Sequence, residues 1–227
     1  MNTPPVIVII IPVYNEQQTV HSVLHGLKDC GYCQLVVVDD GSDEPLTLQS
    51  FKVHHLRHAI NLGQGAAIQT GIEYTRNLDP DVIVTFDADG QHDPADIGKL
   101  IKPILNDEAD IVFGSRFLHR ATDAMPTLRR FVVHCARVVN FLLTGILLSD
   151  AHNGLRAFGR RAYYSLSLTE NRMAHASEIL FKTKALGLRY KERAVNVRYS
   201  PYTLQKGQSG WDSINILFDL LLHKIMK

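Results

Sequence analysis

Two aspartates one residue apart, Asp87 and Asp89, end the β-branched run Val82-Ile83-Val84-Thr85-Phe86 and are followed by Gly90 and Gln91. Gly90 lets the backbone turn there. Acidic side chains at the carboxyl end of a buried strand sit where open α/β sheets bind ligands. Their hard oxygens suit Mg²⁺ or Mn²⁺ carrying a diphosphate. The plain alternative is a solvated turn, because a D-x-D spacing is common by chance. Two more polar turns follow apolar runs, Pro12-Val13-Tyr14-Asn15-Glu16 and Asp39-Asp40-Gly41-Ser42. In a parallel sheet these ends lie side by side and gather acids at one rim, where unpaired carboxylates repel. A cation, or the N–H donors of a ligand's base, would relieve that repulsion.

The elements that must position these groups are legible as alternating apolar runs and helical periods. Val6 to Ile11 reads as a buried strand ended by Pro12, and a helix opens at Asn15-Glu16 and runs to about Lys28 with Val20, Val23, Leu24 and Leu27 on one face. Leu35 to Val38 and Val53 to Leu56 are the next strands. Gly63-Gln64-Gly65 precedes a helix over Ala66 to Thr75. Val82 to Phe86 is a strand, Pro94 to Leu105 a helix and Ile111 to Phe113 a strand. This alternation predicts an α/β fold with a mostly parallel central sheet flanked by helices. Beyond Gly114 the spacing predicts a helix over Arg129 to Leu148, a strand over Leu155 to Phe158, a helix over Ser177 to Leu186 and a last strand over Ala194 to Tyr199. Trp211 to Met226 reads as an amphipathic helix with a wide apolar face.

The ordered pieces I-P-V-Y-N-E, V-V-V-D-D-G-S, N-L-G-Q-G-A-A, D-A-D-G-Q, Gly114-Ser115-Arg116 and Asn153-Gly154-Leu155-Arg156 closely resemble glycosyltransferase family 2, and within it the dolichyl-phosphate mannosyltransferase-like enzymes. The resemblance covers roughly residues 6 to 200 and implies a GT-A fold over residues 1–210, with residues 211–227 as a C-terminal amphipathic helix. It also implies a nucleotide-sugar donor and a divalent cation, Mg²⁺ or Mn²⁺. Carried over by motif, Pro12, Tyr14, Glu16, Val38 and Asp40 form the base and ribose pocket. Uracil and guanine both offer donors to an acid, so the base stays open. Helix capping by Asn15 and Asp40 is the structural alternative.

Asp87, Ala88, Asp89 and Gln91 match the family's metal and diphosphate segment, with Asp89 and Gln91 foremost as direct ligands. Arg116 and Arg156 are the leading phosphate readers, because guanidinium forks bind phosphate bidentately. Arg129 and Arg130 are further candidates, with capping or solvation of the helix that begins there as the alternative. Lys206 lies where these relatives carry a basic, glycine-containing loop, in a spacing that departs from their pattern. Glu178 stands where enzymes with hydroxyl acceptors carry a Glu-Asp pair as catalytic base, and only one acid is present. A polyprenyl phosphate is already ionised, so its attack needs no strong base. The resemblance therefore implies an inverting transfer of a hexose from a UDP- or GDP-sugar to a polyprenyl phosphate. The rivals are transfer to a saccharide hydroxyl and a non-catalytic nucleotide-binding subunit of a membrane complex.

The remaining composition narrows partners and place. The 227 residues are 45% hydrophobic and 21% charged, with a net charge of +1, which argues against nucleic acid as a partner. Three cysteines, an odd number, suit a reducing compartment, and the Cys30/Cys33 pair reads as coincidence. The first apolar run carries no basic residue before it and stops at Pro12, so it reads as a strand and not a leader, pointing to a cytoplasmic protein. No apolar run reaches the length of about 20 residues that spans a bilayer. The wide-faced helices at 129–148 and 211–226 predict peripheral docking on the inner face of the cytoplasmic membrane or on a small membrane-protein partner, with core packing or a homodimer interface as the alternative. His54, His55 and His58 read as a solvated loop. The absence of G-x-G-x-x-G after the first strand argues against a dinucleotide dehydrogenase.

Overall fold

Val8, Ile9, Ile10 and Ile11 are all completely buried, which is why strand β1 (Ile7–Val13) reads as an unbroken apolar run: a sheet covered on both faces has no polar side to display. Alternate residues face opposite layers. Ile9 and Ile11 join the core formed with Val20, Leu24 and Leu27 of helix α1 (Gln17–Asp29) and Leu100 of α3 (Ile97–Leu105). Val8 and Ile10 join the opposite core, with Ile68 and Ile72 of α2 (Gln64–Arg76). Helix α2 presses on β1 at Gly71, where an added Cβ would stand 2.4 Å from Ile10 Cγ2.

The computed structural model describes residues 4–118, 138, 141, 142 and 144–198. Within them the strands are β1, β2 (Gln34–Asp39), β3 (His54–Arg57), β4 (Val82–Thr85), β5 (Ile111–Ser115), β6 (Arg156–Gly159) and β7 (Tyr190–Ala194), in the spatial order β3-β2-β1-β4-β6-β5-β7. The pairs β1–β2, β1–β4, β2–β3 and β5–β7 are parallel. β6 runs antiparallel between β4 and β5, opposing Arg156 to Thr85 on one side and to Phe113 on the other. Two short helices lie between β6 and β7, α4 (Arg160–Ser165) and α5 (His175–Ala185). No helix among the described residues is long and apolar enough to cross a membrane.

Three sequence expectations change. The last strand is Tyr190–Ala194, not Ala194–Tyr199; of the expected stretch, Val197 makes a single bridge to His92. β7 carries no apolar run because it is an edge strand centred on charged residues, Lys191-Glu192-Arg193, whose polarity protects an open edge from mispairing. Helix α4 went unpredicted because it is only six residues long. It is tied down by Arg160, which pairs with Asp79 at 2.6 Å. The histidines near β3 do not form a solvated loop: Tyr74 Oη lies 2.8 Å from His54 Nδ1, and the His58 side chain is only 11% exposed. Of the expected helix over 129–148, the described residues 138, 141, 142 and 144 are helical and 145–148 are not. Gly145 with φ 69° turns the chain out. Arg129, Arg130, Lys206 and the 211–226 helix lie outside the described residues.

Candidate active site

The carboxyl ends of β1, β2 and β4 form one rim, and β6 brings its first residue to the same edge because it runs the other way. The turns after β1 and β2 are latched together. Asn15, with a left-handed backbone (φ 54°), donates its N–H to Ser42 Oγ at 3.0 Å and its side-chain amide to Asp43 at 2.9 Å. Pro12 is buried, while the Tyr14 ring stays 44% exposed and available to a ligand. Val38 is fully buried in the core on the α2 face, so it supports the rim from beneath and offers no side-chain surface.

The two aspartates after β2 have different tasks. Asp39 accepts from Ser42 N and from Arg57, both at 2.9 Å, and so holds its own turn. Asp40 faces the following loop, accepting from His58 Nδ1 at 2.7 Å, Leu62 N at 3.0 Å and Gly63 N at 2.7 Å. Neither His58 nor the loop's two N–H groups was anticipated, because nothing within a few residues of Asp40 signals them.

Asp87 and Asp89 are likewise divided. Asp87 accepts from Gln64 Nε2 at 2.9 Å and lies 3.4 Å from His92 Nε2. Its carboxylate rests on Gly154, where a Cβ would stand 1.9 Å from Oδ2. Any side chain at 154 would evict it. Burial pushes the Asp87 carboxyl up, but hydrogen bonding to His92 and the nearby charges of His92 and Arg156 outweigh that and hold it below the usual carboxylate range. Ala88 turns into the core. Asp89 is raised above its usual value by burial and then by the charge of Asp87, with Glu16 adding to the repulsion. It accepts from Gln91 N at 2.9 Å. The rim therefore concentrates negative charge at Asp89, which is the charge pattern that a hard cation neutralises. Among the described residues no three His, Cys or acidic side chains converge as a ready-made metal cage.

Facing the acids is Arg156. It is 1% exposed, and its Nε and Nη1 have no hydrogen-bond partner. Burial lowers its pKa to about 10, against the opposing pull of Asp87 and Asp150. A buried guanidinium left with unpaired donors points to an absent anion. His92 Nδ1 is buried without a partner beside it. His175 also lies within the field of this cluster, lowered to about 4 by burial and then by the Arg156 charge.

Arg116 is held differently. Asp150 clamps it at two points, Nε at 2.7 Å and Nη2 at 2.9 Å, and Glu192 fixes the Asp150 turn through the N–H of Ser149 at 2.8 Å. Burial would raise the Asp150 carboxyl, but the Arg116 hydrogen bonds and charge lower it. Asp150→Ala is expected to cost about 2–4 kcal/mol in chemical denaturation, because it strands Arg116, whose side chain keeps 23% exposure. The carboxyl is lowered on folding, so its contribution is complete above the ordinary value of about 3.9 and fades as pH falls through the lower folded value. A loss under about 1 kcal/mol at neutral pH would show the clamp to be structurally idle.

Glu178 does not face the rim acids with a free carboxylate. It accepts from Thr169 N at 2.9 Å, Thr169 Oγ1 at 2.7 Å and Glu170 N at 2.9 Å, and pairs with Lys182 at 2.8 Å. Burial raises it, and Lys182 and Thr169 more than reverse that, so it is held low. The loop it secures covers the start of α2: Asn171 O accepts from Ala66 N, and Cβ atoms at Gly63 or Gly65 would collide with the carbonyls of Asn171 and Glu170.

Comparison with known proteins identifies the family of the chain. A model of glycosyl transferase family 2 matches residues 8–167. An uncharacterized protein of Methanocaldococcus jannaschii is 34% identical over 224 residues, 96% of this chain and 92% of that protein. The UDP-N-acetylglucosamine–dolichyl-phosphate N-acetylglucosaminyltransferase of Methanococcus voltae is 32% identical, covering 97% of each. The crystal structure of Mycobacterium tuberculosis glucosyl-3-phosphoglycerate synthase superposes with a TM-score of 0.65 at 19% identity, over 95% of this chain and 80% of that one, and shows the common GT-A fold. The chain belongs to glycosyl transferase family 2.

Proposed function

We propose that the protein transfers a hexose, with inversion, from a UDP- or GDP-sugar to a polyprenyl phosphate. The observation that carries this reading is the cluster of Asp87, Asp89 and Glu16, with the buried, unpartnered donors of Arg156 acting on Asp87, a polarity suited to a diphosphate and a cation. The polyprenyl acceptor is supported by the Methanococcus voltae relative, whose name gives a dolichyl phosphate.

In this reading Tyr14, Glu16 and Asp40 hold the nucleoside. Asp89 and Gln91 would hold Mg²⁺ or Mn²⁺ together with diphosphate oxygens and water, as Mg²⁺ sites do. The cation would neutralise charge developing on the leaving diphosphate. Asp87, fixed by His92 and Gln64, shapes the site from behind. Arg156 receives diphosphate charge, and Arg116, pre-aimed by Asp150, meets the acceptor phosphate. An oxygen of the acceptor phosphate forms the new bond to the anomeric carbon as the bond to the nucleoside diphosphate breaks on the opposite face. Glu178 serves as a positioning residue and not as the base, since a carboxylate held low and fully hydrogen-bonded is poorly matched to proton abstraction near neutral pH. An ionised phosphate nucleophile needs none.

The acceptor lipid sets the work at a membrane surface, which this reading puts on the cytoplasmic side. Leu118, Val138, Phe141, Leu142 and Leu147, all exposed, give the segment after β5 an apolar surface suited to that contact. Purified protein with Mn²⁺, radiolabelled UDP- or GDP-sugar and polyprenyl phosphate in vesicles is expected to yield lipid-linked sugar and to float with the vesicles. Product formed only on saccharide acceptors, with the protein left unfloated, would refute the lipid-phosphate reading.

A further inference from the structure

We infer that the nucleotide pocket selects uracil over guanine, and that His58 is a residue that makes the selection; this rests on the nucleotide-sugar reading above. An aspartate carboxylate has about four acceptor directions, two on each oxygen, and donates nothing. On Asp40, Oδ1 already takes His58 Nδ1 and Leu62 N, and Oδ2 takes Gly63 N. One direction remains, on Oδ2. The carboxylate is only 2% exposed, so a hydrogen bond there is read with little competition from water.

The occupied positions are not easily surrendered. Because a carboxylate only accepts, Nδ1 of His58 must carry a proton, and Nε2 is hydrogen-bonded to Thr70 Oγ1 at 2.9 Å. The ring is held at both nitrogens. The loop cannot back away either. At Gly41 (φ 70°) an added Cβ would stand 2.4 Å from the carbonyl carbon of Ile60, so the 60–61 backbone lies directly on the β2 turn. Arg57 pins the same turn through Asp39 at 2.9 Å and the carbonyl of Ser42 at 2.8 Å.

Guanine presents two adjacent donors, the ring N1–H and the exocyclic amine, whose natural partner is a carboxylate with one acceptor free on each oxygen. Oδ1 of Asp40 is full, so that fork cannot close, and one donor is buried unpaired. Uracil presents a single N3–H between two carbonyl oxygens and asks for the one acceptor left. A site that leaves a ligand's buried polar group unpaired discriminates strongly against it.

Calorimetry on the full chain with Mg²⁺, titrating UDP, GDP and inosine diphosphate, tests this directly, because the three share the diphosphate and differ in the base edge. UDP is expected to bind at least about tenfold tighter than GDP. Inosine diphosphate lacks the exocyclic amine and is expected to bind about fivefold or more tighter than GDP. His58→Phe removes the Nδ1 donor, frees a direction on Oδ1, and is expected to narrow the UDP/GDP ratio chiefly through a gain for GDP. GDP binding as tightly as UDP, or inosine diphosphate no better than GDP, would overturn the selection while leaving sugar transfer intact. An unchanged ratio in a folded His58→Phe protein would overturn the role of His58. No binding of any nucleotide at millimolar concentration would overturn the donor reading and the selection together.

Discussion

Asp89→Ala is expected to lower sugar transfer about 10²–10³-fold, the usual scale for removing one electrostatic stabiliser of a developing anion. The expectation follows from what surrounds the residue. Asp89 lies after β4 in a turn closed by Gly90 (φ 74°). Burial, Asp87 and Glu16 all disfavour its charge. The Gln91 N–H it accepts and nearby His92 favour that charge, but burial and the neighbouring acids outweigh both. Its removal should therefore leave thermal stability unchanged or slightly raised while the reaction collapses. Transfer rates in Mn²⁺, measured beside thermal unfolding, separate the two. Activity within threefold of wild type would sink the assignment of Asp89 to the diphosphate-bound cation.

Arg156→Met is expected to cut transfer by about 10²-fold or more, with little loss of Tm, for the complementary reason. The guanidinium is buried, and its Nε and Nη1 are unpaired in the fold. Replacing a poorly compensated buried charge by an apolar side chain of similar volume is often neutral or stabilising. If Arg156 were instead a structural counter-ion, chiefly for Asp87, its loss would leave that carboxylate less compensated. The methionine variant would then unfold several degrees earlier. Parallel melting curves and single-turnover rates distinguish a ligand-facing arginine from a structural one. A large fall in Tm with residual activity in proportion to the folded fraction would refute the proposed role.

The strands that carry the acids were legible because they are buried on both faces. β1, β2 and β4 read as continuous apolar runs, and the polar residues that interrupt them mark the rim. What was not legible depends on distance along the chain. His58 finds Asp40, Asp150 finds Arg116 and Glu192 finds Ser149 only after the sheet has folded. Glu178 shows the limit of motif transfer. Its position suggested chemistry, yet its hydrogen bonds go to the backbone and hydroxyl of Thr169 and the backbone of Glu170. The direction of β6 was also beyond reach, since a short apolar run has the same pattern whichever way it runs.

That reversed strand gives the rim two kinds of stiffness. Arg156 begins a strand hydrogen-bonded on both sides, to β4 and to β5, and it is wedged within the protein interior. It can shift only if the sheet shifts. Asp89 hangs on a glycine turn, where small dihedral changes swing the carboxylate without disturbing a ladder. Side chains placed on paired strands hold position more tightly than those on loops. A diphosphate entering between them meets a fixed anvil on one side and a compliant jaw on the other, so adjustment to donors of different shape falls to the turn and not to the arginine.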